Sequence, residues 1–165
     1  MNRYGDISKF ITDIDQLQVT DDEVVYISSE DNYDIAIGLG GCYDTFENLK
    51  PFMVTIAKHI CEMDNIVLKF NRTMRLNNKS LSTSLGNGYR YDYSTNVEKE
   101  PVPIKKKFSY ILSLVYIEKP NFVTFDYWAT DQDNQFYVTF EYKDGRFFLR
   151  TYGMVKCIPD DWDKS

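Results

Sequence analysis

His59 is the only histidine in this 165-residue chain and the first place to look for chemistry. A catalytic histidine needs a nucleophile or a carboxylate within hydrogen-bond reach. No Gly-x-Ser-x-Gly, His-Glu-x-x-His or Cys-His signature accompanies it. His59 falls just off an apolar stripe, beside Ile56 and Ile60, so a structural role flanking the core is expected. Cys42, Cys61 and Cys157 are odd in number, far apart and without the CxxC spacing of a zinc site. Reduced structural thiols in a cytoplasmic protein fit them best. Asp131, Asp133 and Asn134 have the side chains of calcium ligands. A full EF-hand loop also needs a central Gly and a Glu at its last position, so a solvated turn is the simpler reading. Gly38-Leu39-Gly40-Gly41 lacks both the third spaced Gly of a dinucleotide loop and the Gly-Lys-Ser/Thr of a P-loop. A strand end with tight backbone packing suits it better. Glu98 and Glu100 have no partner that the sequence identifies, and Lys105-Lys106-Lys107 reads as a solvated strand edge. No metal, no cofactor and no catalytic set is expected.

Charge narrows the partners. The net charge is -6, but it is unevenly spread. Residues 1–50 carry 3 basic and 11 acidic side chains, residues 51–107 carry 10 and 5, and residues 108–165 carry 6 and 9. A nucleic-acid binder should present a basic face, so nucleic acid is not expected as a partner. The acidic first third would instead attract a basic protein. An acidic balance also serves solubility alone. No apolar run approaches the ~18 residues of a membrane helix. Met1 to Asp6 lacks the basic-then-apolar pattern of a signal peptide.

These groups need elements to position them. The length suggests one domain over 1–165. Ile7, Phe10, Ile11, Ile14 and Leu17 fall at helical spacing, with Asp6 as a plausible cap. Val24–Ile27 and the alternating Tyr33–Leu39 predict a hairpin. Asp44 to Glu47 resembles a capping box, and Leu49, Phe52, Met53, Ile56, Ile60 and Met63 form the stripe of the main helix. Pro51 pushes its regular start toward Asn48, and Asp64-Asn65 marks a stop or restart before 66–76. Residues 77–107 predict a flexible loop or insert leading into a tyrosine-rich strand, and 158–165 a loose acidic tail. Four strands follow over Ser109–Glu118, Phe122–Thr130, Asn134–Lys143 and Arg146–Tyr152. The expected fold class is α+β, an antiparallel sheet whose C-terminal four-strand meander packs on one main helix.

The Asp144-Gly145 turn sets a testable register. Lys143 should oppose Arg146, and Tyr142 should oppose Phe147. Glu141 should then meet Phe148, Phe140 meet Leu149, Thr139 meet Arg150, Val138 meet Thr151, and Tyr137 meet Tyr152. Alternation gives a core face of Val138, Phe140, Tyr142, Phe147 and Leu149. The opposite, wet face holds Tyr137, Thr139, Glu141, Phe148, Arg150 and Tyr152. Asp126 and Trp128 share its parity on the neighbouring strand. Aromatic cross-strand pairs would stabilise such a face by themselves. The sharper reading is a protein-binding face, because Trp, Tyr and Arg are enriched at hot spots. A loop or a second chain covering it is a further alternative.

From Tyr127-Trp128-Ala129-Thr130 through Asn134-Gln135-Phe136-Tyr137-Val138-Thr139-Phe140, the chain is similar to small bacterial immunity proteins of polymorphic-toxin and contact-dependent inhibition systems. The resemblance covers the last third and the hairpin-and-helix plan of the first. It implies an acidic, cytoplasmic, non-enzymatic protein that neutralises a toxin by binding it, and no functional residue carries over. A basic toxin domain would suit the charge. The alternatives are a small enzyme with a carboxylate or tyrosine site in 77–107, and a self-associating structural or assembly protein. The sequence does not set the oligomeric state.

Overall fold

A computed structural model describes residues 3–30, 33–76, 110–129 and 135–153. Among these, two α-helices and six strands form one layer of helix on one sheet. Helix α1 (Ser8–Asp13) runs into a 3-10 turn over Ile14–Gln16. The Asp6 carboxylate accepts the Ser8 backbone N–H at its start. Strands β1 (Val24–Glu30) and β2 (Tyr33–Gly38) make the expected hairpin.

Helix α2 (Phe46–Leu76) is a single 31-residue helix. Two local readings are corrected here. Its cap is Thr45, whose hydroxyl accepts the Asn48 N–H, while Asp44 accepts the Thr45 N–H and the Asn48 side-chain amide. The helix also passes through Asp64-Asn65 without stopping, because the Asp64 carboxylate turns into the core instead of competing for its own backbone. Pro51 lies inside the helix, within two turns of its start.

Strands β3 (Tyr110–Lys119), β4 (Phe122–Ala129), β5 (Gln135–Lys143) and β6 (Arg146–Gly153) form the meander. The sheet order is β1-β2-β3-β4-β5-β6, and four of its five junctions are antiparallel. The fifth, β2–β3, is parallel, through Ala36↔Leu114 and Ile37↔Val115. A parallel pair needs a crossover, and α2 lies within that connection. The fold is α+β, with α2 packed on the sheet. Leu49, Met53, Ile56, Ile60, Met63 and Val67 recur every three or four residues and are all buried. They share one cluster with Ile35, Ile37, Val115, Phe125, Val138 and Phe140 from the sheet. Each such side chain contributes about 1.5–3 kcal/mol on burial.

The predicted loop 77–107, its tyrosine-rich strand, Lys105 to Lys107, Glu98, Glu100, the Asp131/Asp133/Asn134 turn, Cys157 and the 158–165 tail lie outside the described residues.

Candidate functional site

Two polar constellations stand out, one on each face of the sheet. The inner one is buried and was not legible in the sequence. The Arg3 guanidinium donates from Nε to Asp64 Oδ2 and from Nη2 to Asp64 Oδ1, each at 2.9 Å. It also donates to the Tyr110 carbonyl at 2.7 Å and to the Tyr4 hydroxyl at 2.8 Å. The Tyr4 and Tyr127 hydroxyls donate to Asp64 Oδ1 at 3.1 and 2.9 Å, and the Leu112 N–H donates to Tyr4 Oη at 2.9 Å. Asp64, Tyr4 and Tyr127 are all fully buried. Burial, then the Asp64 charge, pushes both phenols well above the usual tyrosine range. Burial lowers the Arg3 pKa, but the Asp64 hydrogen bond and charge outweigh it and leave it raised. Every part of this network is engaged with another, and it ties the N-terminal segment to α2, β3 and β4. Its chemistry is that of a clamp.

The outer constellation is the candidate site. The register aligns Tyr26, Ala36, Leu114, Asp126 and Tyr137 as one row across β1 to β5. A second row, Thr124, Thr139 and Thr151, crosses β4 to β6, with the first two hydroxyls 3.0 Å apart. Trp128 on β4, Phe148 on β6 and Tyr26 on β1 are exposed members of this face, at 39%, 43% and 43%. Arg146 stands over the Phe148 ring, 5.6 Å from its centroid. Asp126 is 1% exposed, and burial raises its carboxyl to about 7, opposed by a hydrogen bond from Trp128. Tyr137 stands opposite Asp126 in the register, and the Tyr116 and Tyr137 phenols are raised by burial and then by the Asp126 charge. The Tyr116 ring packs against the glycine run that follows the hairpin. A Cβ on Gly38 or Gly41 would come within 3.1 Å of it, which is the tight packing expected of that glycine run.

The structure therefore brings Asp126, Trp128, Tyr137, Glu141, Phe148 and Arg150 to one face, with two corrections. First, the face is not evenly wet. Thr124, Asp126, Thr139 and Thr151 are buried, while Tyr137, Glu141 and Arg150 are half-buried. Their side chains are short or lie beside taller neighbours, Leu114 and Tyr116 on β3 and Tyr137 on β5. Second, the predicted register holds only from Lys143↔Arg146 to Phe140↔Leu149. A bulge follows, and Thr139 meets Thr151, Val138 meets Tyr152, and Tyr137 meets Gly153. Arg150 is the extra residue, and its guanidinium pairs with Glu141. The slip pairs Tyr152 with Val138 instead of Tyr137.

His59 sits where a structural residue should. Its Nδ1 lies 2.8 Å from the Thr55 carbonyl, and its ring packs 5.5 Å from Phe147. Among the described residues no three His, Cys, Asp or Glu side chains gather as metal ligands would. No described helix is long and apolar enough to cross a membrane. Comparison with family models, with curated proteins and with solved structures finds no match for this chain.

Proposed function

We propose that this chain is a non-catalytic protein-binding protein of the immunity type, which neutralises a bacterial toxin by covering it with the outer face of β4, β5 and β6. The observation that carries the reading is the pair Trp128 and Phe148, large aromatics left in solvent on a face whose centre is buried and polar. Six residues of β4 separate the Trp128 level from the Phe122 level, where Glu141 and Phe148 lie. At about 3.3 Å per residue the two aromatics bracket roughly 20 Å of strand. That suits a standard interface of about 800 Å² per partner. Exposed aromatics beside a half-buried Arg–Glu pair are the composition of binding hot spots. The net charge of -6 favours a basic toxin domain.

The test is calorimetric titration of the purified chain with the basic protein encoded beside it. Tight one-to-one binding is expected. Trp128→Ala and Phe148→Glu should each weaken it by about 30-fold, the size of a hot-spot loss, while thermal unfolding stays in place. No binding by that neighbour, or binding indifferent to both substitutions, refutes the reading.

A further inference from the structure

The centre of the outer face holds a carboxylate where a purely structural sheet would place an apolar or hydroxyl side chain. Thr124 and Thr139 show what that alternative looks like one row away: both are buried, and each satisfies the other. Asp126 is equally buried but charged when ionised. Trp128, two residues along its own strand, gives it an indole N–H. Tyr137 stands directly opposite on β5, and Leu114 directly opposite on β3. A carboxylate floored into a sheet and rimmed by one indole and one phenol is the chemistry that recognises an organic cation. Ring faces attract the cation by their quadrupoles, and the carboxylate closes a charge-assisted hydrogen bond at low dielectric.

We propose that Asp126, rimmed by Trp128 and Tyr137, is a recognition pocket for a lysine or arginine side chain of the protein partner. This rests on the outer-face reading and sharpens it, because it names the chemistry of the contact at its centre. Trp128 already stands partly in solvent, so the incoming cation stacks on the indole before it reaches the carboxylate. The charge of the chain suits such a visitor. Arg150 on β6 is engaged with Glu141.

The site also carries its own pH signature. The groups facing Asp126 are the Tyr137 phenol from β5 and the Trp128 indole from its own strand, and the Tyr116 phenol on β3 also feels its charge. Farther along the face lie Glu118 and the Glu141–Arg150 pair. Both phenols stay neutral below pH 10, since both are raised. The carboxyl at about 7 is then the group that changes charge near neutrality. Its ionised fraction rises from about 10% at pH 6 to about 90% at pH 8.

The experiment needs no partner. The full chain, labelled with nitrogen-15, is titrated with Nα-acetyl-lysine amide and Nα-acetyl-arginine amide, with Nα-acetyl-norleucine amide as the uncharged control. The Trp128 indole cross-peak is the readout, told apart from that of Trp162 by a Trp162→Phe variant. A saturable shift with both cations is expected, about ninefold tighter at pH 8 than at pH 6, and absent in Asp126→Asn. A shift equal with norleucine, a shift that survives Asp126→Asn, or no shift at pH 8 overturns the pocket. Should Asp126→Asn fold poorly, the wild-type pH ratio decides, and a ratio near one refutes the proposal. If the pocket fails while Phe148→Glu still weakens the toxin complex, only this inference falls. If Phe148→Glu has no effect, the outer-face reading falls with it.

Discussion

Arg3 lies close to the chain terminus, where side chains usually contribute little, yet it completes a buried carboxylate. Replacing it by methionine keeps the aliphatic stem and removes the four hydrogen bonds to Asp64, Tyr110 and Tyr4. Asp64, with a side chain 1% exposed, would keep its hydrogen bonds from the Tyr4 and Tyr127 hydroxyls but lose its counter-charge. Breaking one side of a buried ion pair costs about 3–5 kcal/mol. The Arg3 side chain is 19% exposed, so water can enter behind the methionine, and the lower end, about 3 kcal/mol, is expected. With an m-value of about 2 kcal/mol/M in urea, the unfolding midpoint should fall by about 1.5 M with m unchanged. The double variant Arg3→Met/Asp64→Leu removes both charges and should return to within about 1–2 kcal/mol of wild type, since an apolar replacement of a buried pair is often neutral. The double-mutant cycle then reports a coupling of roughly 1–3 kcal/mol. A midpoint within 0.5 M of wild type for Arg3→Met, on the same ~2 kcal/mol/M slope, would mean that the first residues are not docked and the clamp does not exist.

Three further outcomes follow from the same groups. Gly5 has φ +78, and a Cβ there would run into the Glu30 side chain; Gly5→Ala should cost about 1–2 kcal/mol by loosening the adjacent Tyr4, read as a lower melting temperature. The Tyr4 and Tyr127 phenols are raised in the folded state, so the folded chain holds protons that the unfolded chain releases above pH 10; stability in urea should be intact below pH 10 and fall as pH rises beyond it. Asp126, held at about 7, likewise stabilises the fold below pH 4 and loses that contribution as pH rises through 7. Asp126→Asn should therefore be more stable than wild type at pH 8, by an amount on the order of 2–4 kcal/mol, and should lose that advantage at pH 4.

What the sequence revealed depended on how local each signal was. The Asp144-Gly145 turn fixed four pairs correctly, and both turn residues take the positive φ that such a hairpin needs, +54 and +76. Beyond Phe140 the extrapolation failed, because strict alternation carries no sign of the bulge at Arg150. The bulge is visible only once Glu141 and Arg150 are seen to pair. The α2 stripe was equally clear, while Asp64 was misread as a helix end. Its partners Arg3 and Tyr127 lie 61 and 63 residues away, and no window along the chain joins them. The parallel β2–β3 junction was hidden for the same reason: its strands are separated by the whole of α2 and more. The parity of Asp126 and Trp128 was legible, so the candidate face could be named before its burial was known.

The two buried aspartates frame the functional reading. Asp64 faces the helix and is met by a guanidinium and two hydroxyls, so its charge is neutralised inside the fold. Asp126 faces outward and is met by an indole N–H with one phenol opposite, and burial pushes its carboxyl toward neutrality. The same residue type thus stabilises on one face and costs stability on the other. A carboxylate that costs stability in the isolated chain returns that cost when a cation arrives, and the gain appears as affinity. The order of stabilities is therefore expected to invert. Alone at pH 8, Asp126→Asn should unfold later than wild type, and with a saturating basic partner it should unfold earlier. A variant that stays the more stable in both conditions would show that Asp126 belongs to the fold and not to the interface.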